Sequence, residues 1–252
     1  IVIISVIEVV TFIVSCSIYG LSNSEAFAPN PKALALLGWK DAKKIKNEYQ
    51  LWRFFTPTFL HGHAYHLNAN IMSQLFFGSG TEHGIEAGWM IFLYFTSAFG
   101  GMLLSCIAKP ESFAIGASTS VFGLIGYLIS YVFTNWGFMD RTKPWQRIYL
   151  LCLTFLVVLI NTNIGPMADG NVDNFGHLGG LITGFLCGMV ICEQFDRQAR
   201  SAKRIPDRFT EETYKKYGFD NIFLNYLGHV LLFIYLVGGI LVFFLYTDVN
   251  VE

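Results

Sequence analysis

Three polar clusters interrupt an otherwise apolar sequence, and each has residue types that could do chemistry. The first is Gly116-Ala117-Ser118, followed by Thr119-Ser120-Val121-Phe122-Gly123. A Gly-x-Ser at the mouth of a helix lets the chain turn tightly and sets a hydroxyl beside unsatisfied backbone N–H groups. That combination supplies a nucleophile and part of an oxyanion site. Small and hydroxylated residues also serve close helix packing, and serines in membrane helices bond back to carbonyls a turn earlier. The second cluster is Asp173-Asn174-Phe175-Gly176-His177-Leu178-Gly179-Gly180. Glycines 176, 180, 184 and 188 recur every four residues and line one helical face, which allows another backbone to approach closely. His177 stands beside that face, where it can serve as a general base within about 3 Å of a serine or as a hydrogen-bonded structural residue. Asp173 is read as a loop residue rather than a third catalytic member. The third cluster runs His61-Gly62-His63-Ala64-Tyr65-His66-Leu67-Asn68-Ala69-Asn70. His66 and Asn70 are four apart, share a face, and can both donate to a developing oxyanion. The rival use of His61, His63 and His66 is a metal site, but no carboxylate or cysteine pair accompanies them.

The elements holding these clusters are membrane helices. Of the 252 residues 53% are hydrophobic and 14% charged, against about 25% charged in a soluble domain. Stretches 89–107 and 113–137 contain no Asp, Glu, Lys or Arg, and each can cross a hydrocarbon core that needs roughly 20 helical residues. Similar runs lie at 1–21, 148–160, 176–192 and 223–246. Stretch 66–77 makes a seventh, too polar to be found by hydropathy alone. Residue 1 is Ile, so the natural chain is expected to begin upstream. Glu8 lies within the first span, and its expected place is the interface near that truncated end. The five cysteines (Cys16, Cys106, Cys152, Cys187, Cys192) have no metal-like spacing and imply no disulfide framework. A net charge of −1 decides nothing about acidic partners.

Basic residues give an orientation. Arg141, Lys143 and Arg147 follow the fourth span, and Arg197, Arg200, Lys203, Arg204, Arg208, Lys215 and Lys216 follow the sixth, so both connections are expected in the cytosol. Loop 161–175 on the other face has no Lys or Arg. Loop 23–65 on that same face carries Lys32, Lys40, Lys43, Lys44, Lys46 and Arg53, against the rule. Its Trp39, Trp52, Phe54, Phe55 and Phe59 mark it as a folded element lying in the interface.

Taken together, the clusters resemble the rhomboid intramembrane serine proteases. The resemblance runs from Asn30 to about Cys192 and includes Trp52-Arg53, the His61…His66…Asn70 series, and Glu82 after Gly78-x-Gly80. It continues through Gly116-Ala117-Ser118, Phe122 and His177-x-x-Gly180-x-x-x-Gly184. It departs at Gly176, where Ala commonly precedes the histidine. The resemblance implies an all-α polytopic membrane protein, with a six-helix core over 1–193 that includes interfacial loop 22–65. A basic cytosolic loop, 194–222, would join this core to an additional C-terminal span, 223–246. By position, the family makes Ser118 the nucleophile and His177 the general base. The Ser118 backbone N–H, His66 and Asn70 would form the oxyanion hole, in a cavity that Thr119, Ser120 and Asn68 help to line. Phe122 would pack on the catalytic imidazole, Gly116 and Gly180 would permit the close approach, and Trp52, Arg53, His61 and Glu82 would be structural. The extra span after the core suits the secretory-pathway type, in the secretory pathway or plasma membrane, over the mitochondrial type. Expected partners are single-span membrane proteins, cut where their helix unwinds, and membrane lipids. Nucleic acid, cofactor and metal are not expected, and the oligomeric state stays open. Two rivals keep a place: an inactive relative that binds transmembrane helices as an adaptor, and a channel or transporter lined by histidines.

Overall fold

The computed structural model describes residues 1–22, 27–135, 145, 148–155, 172–201 and 221–249, the last ten residues of 172–201 and the first two of 221–249 as backbone. Every regular element among these is helical, apart from two isolated β-bridges. Helix α1 spans Val2–Tyr19, α2 Pro31–Leu37, α3 Ala42–Glu48, α4 Ala64–Glu82, α5 Ala87–Ala108 and α6 Ser118–Thr134. Helix α7 spans Asn174–Ser201 and α8 Asn221–Leu245. Residues 148–155 are also helical. Four helices are long and apolar enough to cross a bilayer: α1, α5, the Asn174–Ile191 part of α7, and the Phe223–Leu245 part of α8. Helix α6 is also apolar but shorter. Helix α4 has the length without the apolarity, and it buries the polar Asn70, Gln74 and Thr81 against its neighbours. Stretch 156–171 and most of the basic connection 194–222 lie outside the described residues. The part of that connection that is described, through Ser201, continues α7 rather than forming a loop.

Helices α5, α6 and α7 form the centre, around Leu93, Tyr94, Val121, Leu124, Ile125, Cys187 and Val190. Lipid tails are as apolar as leucine, so small residues and van der Waals contact must hold these helices together. The glycine period provides that contact. A Cβ on Gly180 would strike the Thr119 carbonyl oxygen, and one on Gly184 would strike the Gly123 backbone. On Gly188 it would come within 2.5 Å of Ser130 Cβ. Helix α6 answers with Gly126, which lies under Leu181 of α7. A second glycine contact was not evident in the sequence. Gly179 faces the opposite neighbour, where a Cβ would stand 2.8 Å from the Gly100 carbonyl oxygen of α5.

The segment between α1 and α4 is folded, as its aromatics predicted. Asn30 and Asp41 cap α2 and α3, accepting from Lys32 N and Lys44 N at 3.0 Å each. Short 3-10 turns at Leu51–Phe54 and Thr56–Phe59 follow. Arg53, 4% exposed, holds the segment together by donating to Gln50 Oε1 at 2.7 Å and to the carbonyls of Trp39 and Ala35. Lys40 is fully buried, and its ammonium donates to Ser105 Oγ, the Lys109 carbonyl and Ser112 Oγ at 2.8 Å each. It therefore caps the C-terminal carbonyls of α5 with a cation, a favourable placement for a helix end. Helix α8 packs on α5 and α7. Asn225 Nδ2 donates to the Val190 carbonyl at 2.7 Å and Tyr235 OH to the Gly100 carbonyl at 3.0 Å.

Glu8 of the first span was expected at an interface. Its side chain is fully buried and meets Gln74 of α4 and Tyr94 of α5. A carboxylate facing lipid alone is costly, and the neighbouring helices supply its partners.

Candidate active site

Ser118 is the first residue of α6, so its N–H is among those the helix leaves unpaired. Gly116 sets up this start. Its φ of +119° is a conformation that favours glycine, and its N–H donates to the Pro57 carbonyl at 2.8 Å. The Lys40 N–H donates to the Ala114 carbonyl at 3.0 Å, so the segment between α1 and α4 grips the approach to Ser118 at two points. A side chain at Gly116 would also collide with His66, whose Cε1 and Nε2 lie 2.8 and 2.9 Å from the position of a Cβ. Asn70 Nδ2 lies 3.7 Å from the same point. The two donors of α4 therefore face the backbone two residues before Ser118.

His177 arrives from α7. Asp173 Oδ1 accepts from Gly176 N at 2.9 Å, and the Asp173 carbonyl accepts from His177 N at 3.0 Å. Asp173 thus caps the first turn of α7. His177 Nε2 lies 2.8 Å from Ser118 Oγ. The Phe122 ring, one turn along α6 from the serine, stacks on the imidazole with centroids 4.4 Å apart and planes 8° apart. The close approach of α6 and α7 makes that distance possible: Gly180, three residues past the histidine, rests on the Thr119 carbonyl. A neutral imidazole in this position can take the hydroxyl proton as the oxygen attacks.

The remaining candidates divide. Asn70 is buried and uses one amide hydrogen on the His66 carbonyl at 3.0 Å, which leaves the second free to donate. His61 is fully buried and meets His66 edge to face at 5.2 Å. Burial, with His66 nearby, pushes its pKa down to about 3. His63 instead stacks on Tyr65 at 4.9 Å, so the three histidines do not converge on one point. Trp52 is 54% exposed beside the Arg53 cluster, and Glu82 is the last residue of α4, with an exposed side chain. The expected cavity lining needs correction. Ser120 is fully buried and donates to the Tyr94 carbonyl at 3.0 Å. Thr119 packs under Gly176 and Gly180, and Asn68 is exposed.

The Rhomboid domain family matches residues 48–194, a stretch that holds every residue of this site. The chain belongs to the rhomboid family. It is 36% identical over 182 residues to Rhomboid-like protease 3 of Toxoplasma gondii, covering 72% of this chain and 65% of that protein. To RHOMBOID-like protein 4 of Arabidopsis thaliana it is 34% identical over 163 residues, covering 65% of this chain and 40% of the relative. RHOMBOID-like protein 6, mitochondrial, of Arabidopsis is 32% identical over 174 residues, covering 69% and 54%. This rhomboid chain thus spans between two fifths and two thirds of the length of these relatives. Family and apolar helices together make it a multi-pass membrane protein.

Proposed function

We propose that this rhomboid is an intramembrane serine endopeptidase that cuts transmembrane segments of single-span proteins with a Ser118–His177 dyad. The observation that carries the reading is the 2.8 Å contact between Ser118 Oγ and His177 Nε2 with Phe122 stacked behind the imidazole. Ser118 Oγ attacks the scissile carbonyl while His177 Nε2 takes its proton, and the carbonyl oxygen becomes an oxyanion. The Ser118 N–H, the Asn70 amide and His66 donate to that oxygen. As the C–N bond breaks, His177 returns the proton to the leaving amine. Water then hydrolyses the serine ester with the same base.

The substrate reading rests on where the dyad sits. Ser118 and His177 begin two helices of the membrane core, so a strand must unwind from a membrane helix to reach them. Helix-breaking residues near the cut favour that unwinding. The additional helix α8 after the core supports a secretory-pathway or plasma-membrane location over a mitochondrial one. Purified protein in proteoliposomes, given a single-span substrate with a Gly- or Pro-containing helix, should release two fragments. Ser118→Ala and His177→Ala should each abolish release. Cleavage that survives either substitution would remove that residue from the mechanism.

A further inference from the structure

We propose that Glu8, Gln74 and Tyr94 form a positioning device that fixes α4 against α6, and so holds the His66–Asn70 face in register with Ser118. The inference rests on the oxyanion role given above to His66 and Asn70. Three helices meet at this point. Gln74 Nε2 donates to Glu8 Oε2 at 2.9 Å and to Ser5 Oγ at 2.7 Å. Tyr94 Oη lies 2.9 Å from Gln74 Oε1 and 3.1 Å from Glu8 Oε1. Glu8, Gln74 and Tyr94 are all fully buried. The fourth helix joins through Ser120, which donates to the Tyr94 carbonyl at 3.0 Å and lies two residues after Ser118.

Position and chemistry both point to a register device. Gln74 is one turn beyond Asn70 on the same face of α4, about 6 Å along the axis. Around it, α1 is apolar and mostly exposed, burying little besides Ser5, Glu8 and Ser15. Apolar contact with lipid and with protein is nearly equivalent in a bilayer, so it cannot choose one register of α4. The polar contacts can, because a slip of α4 would leave an acid, an amide and a phenol unpaired in an apolar layer. The three side chains close a ring when Glu8 lends one oxygen as acceptor to Gln74 and keeps a second polar contact with Tyr94. Glutamine at position 8 supplies an acceptor and a donor in the same places, whereas leucine supplies neither.

The test is a kinetic cycle on the full chain in proteoliposomes, with kcat taken per active site titrated. Glu8→Leu should lower kcat about tenfold or more, with KM within about twofold, and Glu8→Gln should restore kcat to within about threefold. In an Asn70→Ala background, Glu8→Leu should slow the enzyme by no more than about twofold further, since the device acts through the donor already removed. Tyr94→Phe, which removes only the hydroxyl, repeats the cycle where Glu8→Leu does not fold. Wild-type kcat in both Glu8→Leu and Tyr94→Phe, or losses that simply multiply with Asn70→Ala, would overturn the proposal. An equal loss in Glu8→Gln and Glu8→Leu would overturn it as well. The dyad fails by a different result, cleavage by Ser118→Ala, so the two outcomes are distinguishable.

Discussion

Among the described residues, the imidazole of His177 is stacked on Phe122 and hydrogen-bonded to Ser118, with no carboxylate bonded to it. Its plane lies 8° from that of Phe122, and the nearby Asp173 spends its Oδ1 on the helix start instead. An imidazole oriented in part by stacking should be sensitive to its stacking partner. Phe122→Leu is expected to lower kcat about 2- to 12-fold, the range that an aromatic pair contributes, while Phe122→Tyr retains most activity. Steady-state kinetics on a single-span substrate checks this. Asn70→Ala should lower turnover by roughly 10²–10³ if the amide is a full oxyanion donor; wild-type turnover would remove Asn70 from the site and leave the dyad intact. The Gly-x-Ser turn and the His66–Asn70 spacing were legible in the sequence because both are local. Glu8 and Lys40 were not. Their partners lie 66 and 65 residues away or more, and only tertiary contact distinguishes a buried charge from one at an interface.

Helix α7 works as a two-sided spacer. Its Gly180 and Gly184 lie on α6 and its Gly179 on α5, so the depth at which His177 meets Ser118 is set by backbone contact. Gly184→Val should therefore destabilise the protein by about 1–3 kcal/mol or more, the usual result of overpacking, read as a lower midpoint of thermal unfolding in detergent. Gly238→Ala on α8 is the control: nothing lies within 4 Å of its Cβ position, so its midpoint should stay level or rise. A four-residue glycine period announces a single close face in the sequence. The second face, at Gly179, adds no period of its own and was hidden beside it. Helix α4 was legible only through its polar residues, since hydropathy passes over a helix that buries residues such as Asn70 and Gln74.

Across the whole molecule, the ends of α5 and α8 meet the folded segment between α1 and α4, and that segment pins the approach to Ser118. Lys40 grips the end of α5, while Lys46 Nζ donates to the Thr247 carbonyl just after α8, at 2.6 Å. Phe54 and Phe243 pack edge to face beneath it, 6.0 Å apart. The fold class and this segment's order were legible because composition and aromatic content act over long windows. How the segment docks was not, since loop residues carry no period. All of this scaffolding converges on the Ser118 hydroxyl. The most direct test is covalent labelling of the purified protein with a fluorophosphonate probe, followed by mass spectrometry of the modified peptide. The account predicts one adduct on Ser118, lost in Ser118→Ala and sharply reduced in His177→Ala. Undiminished labelling of Ser118→Ala would contradict it.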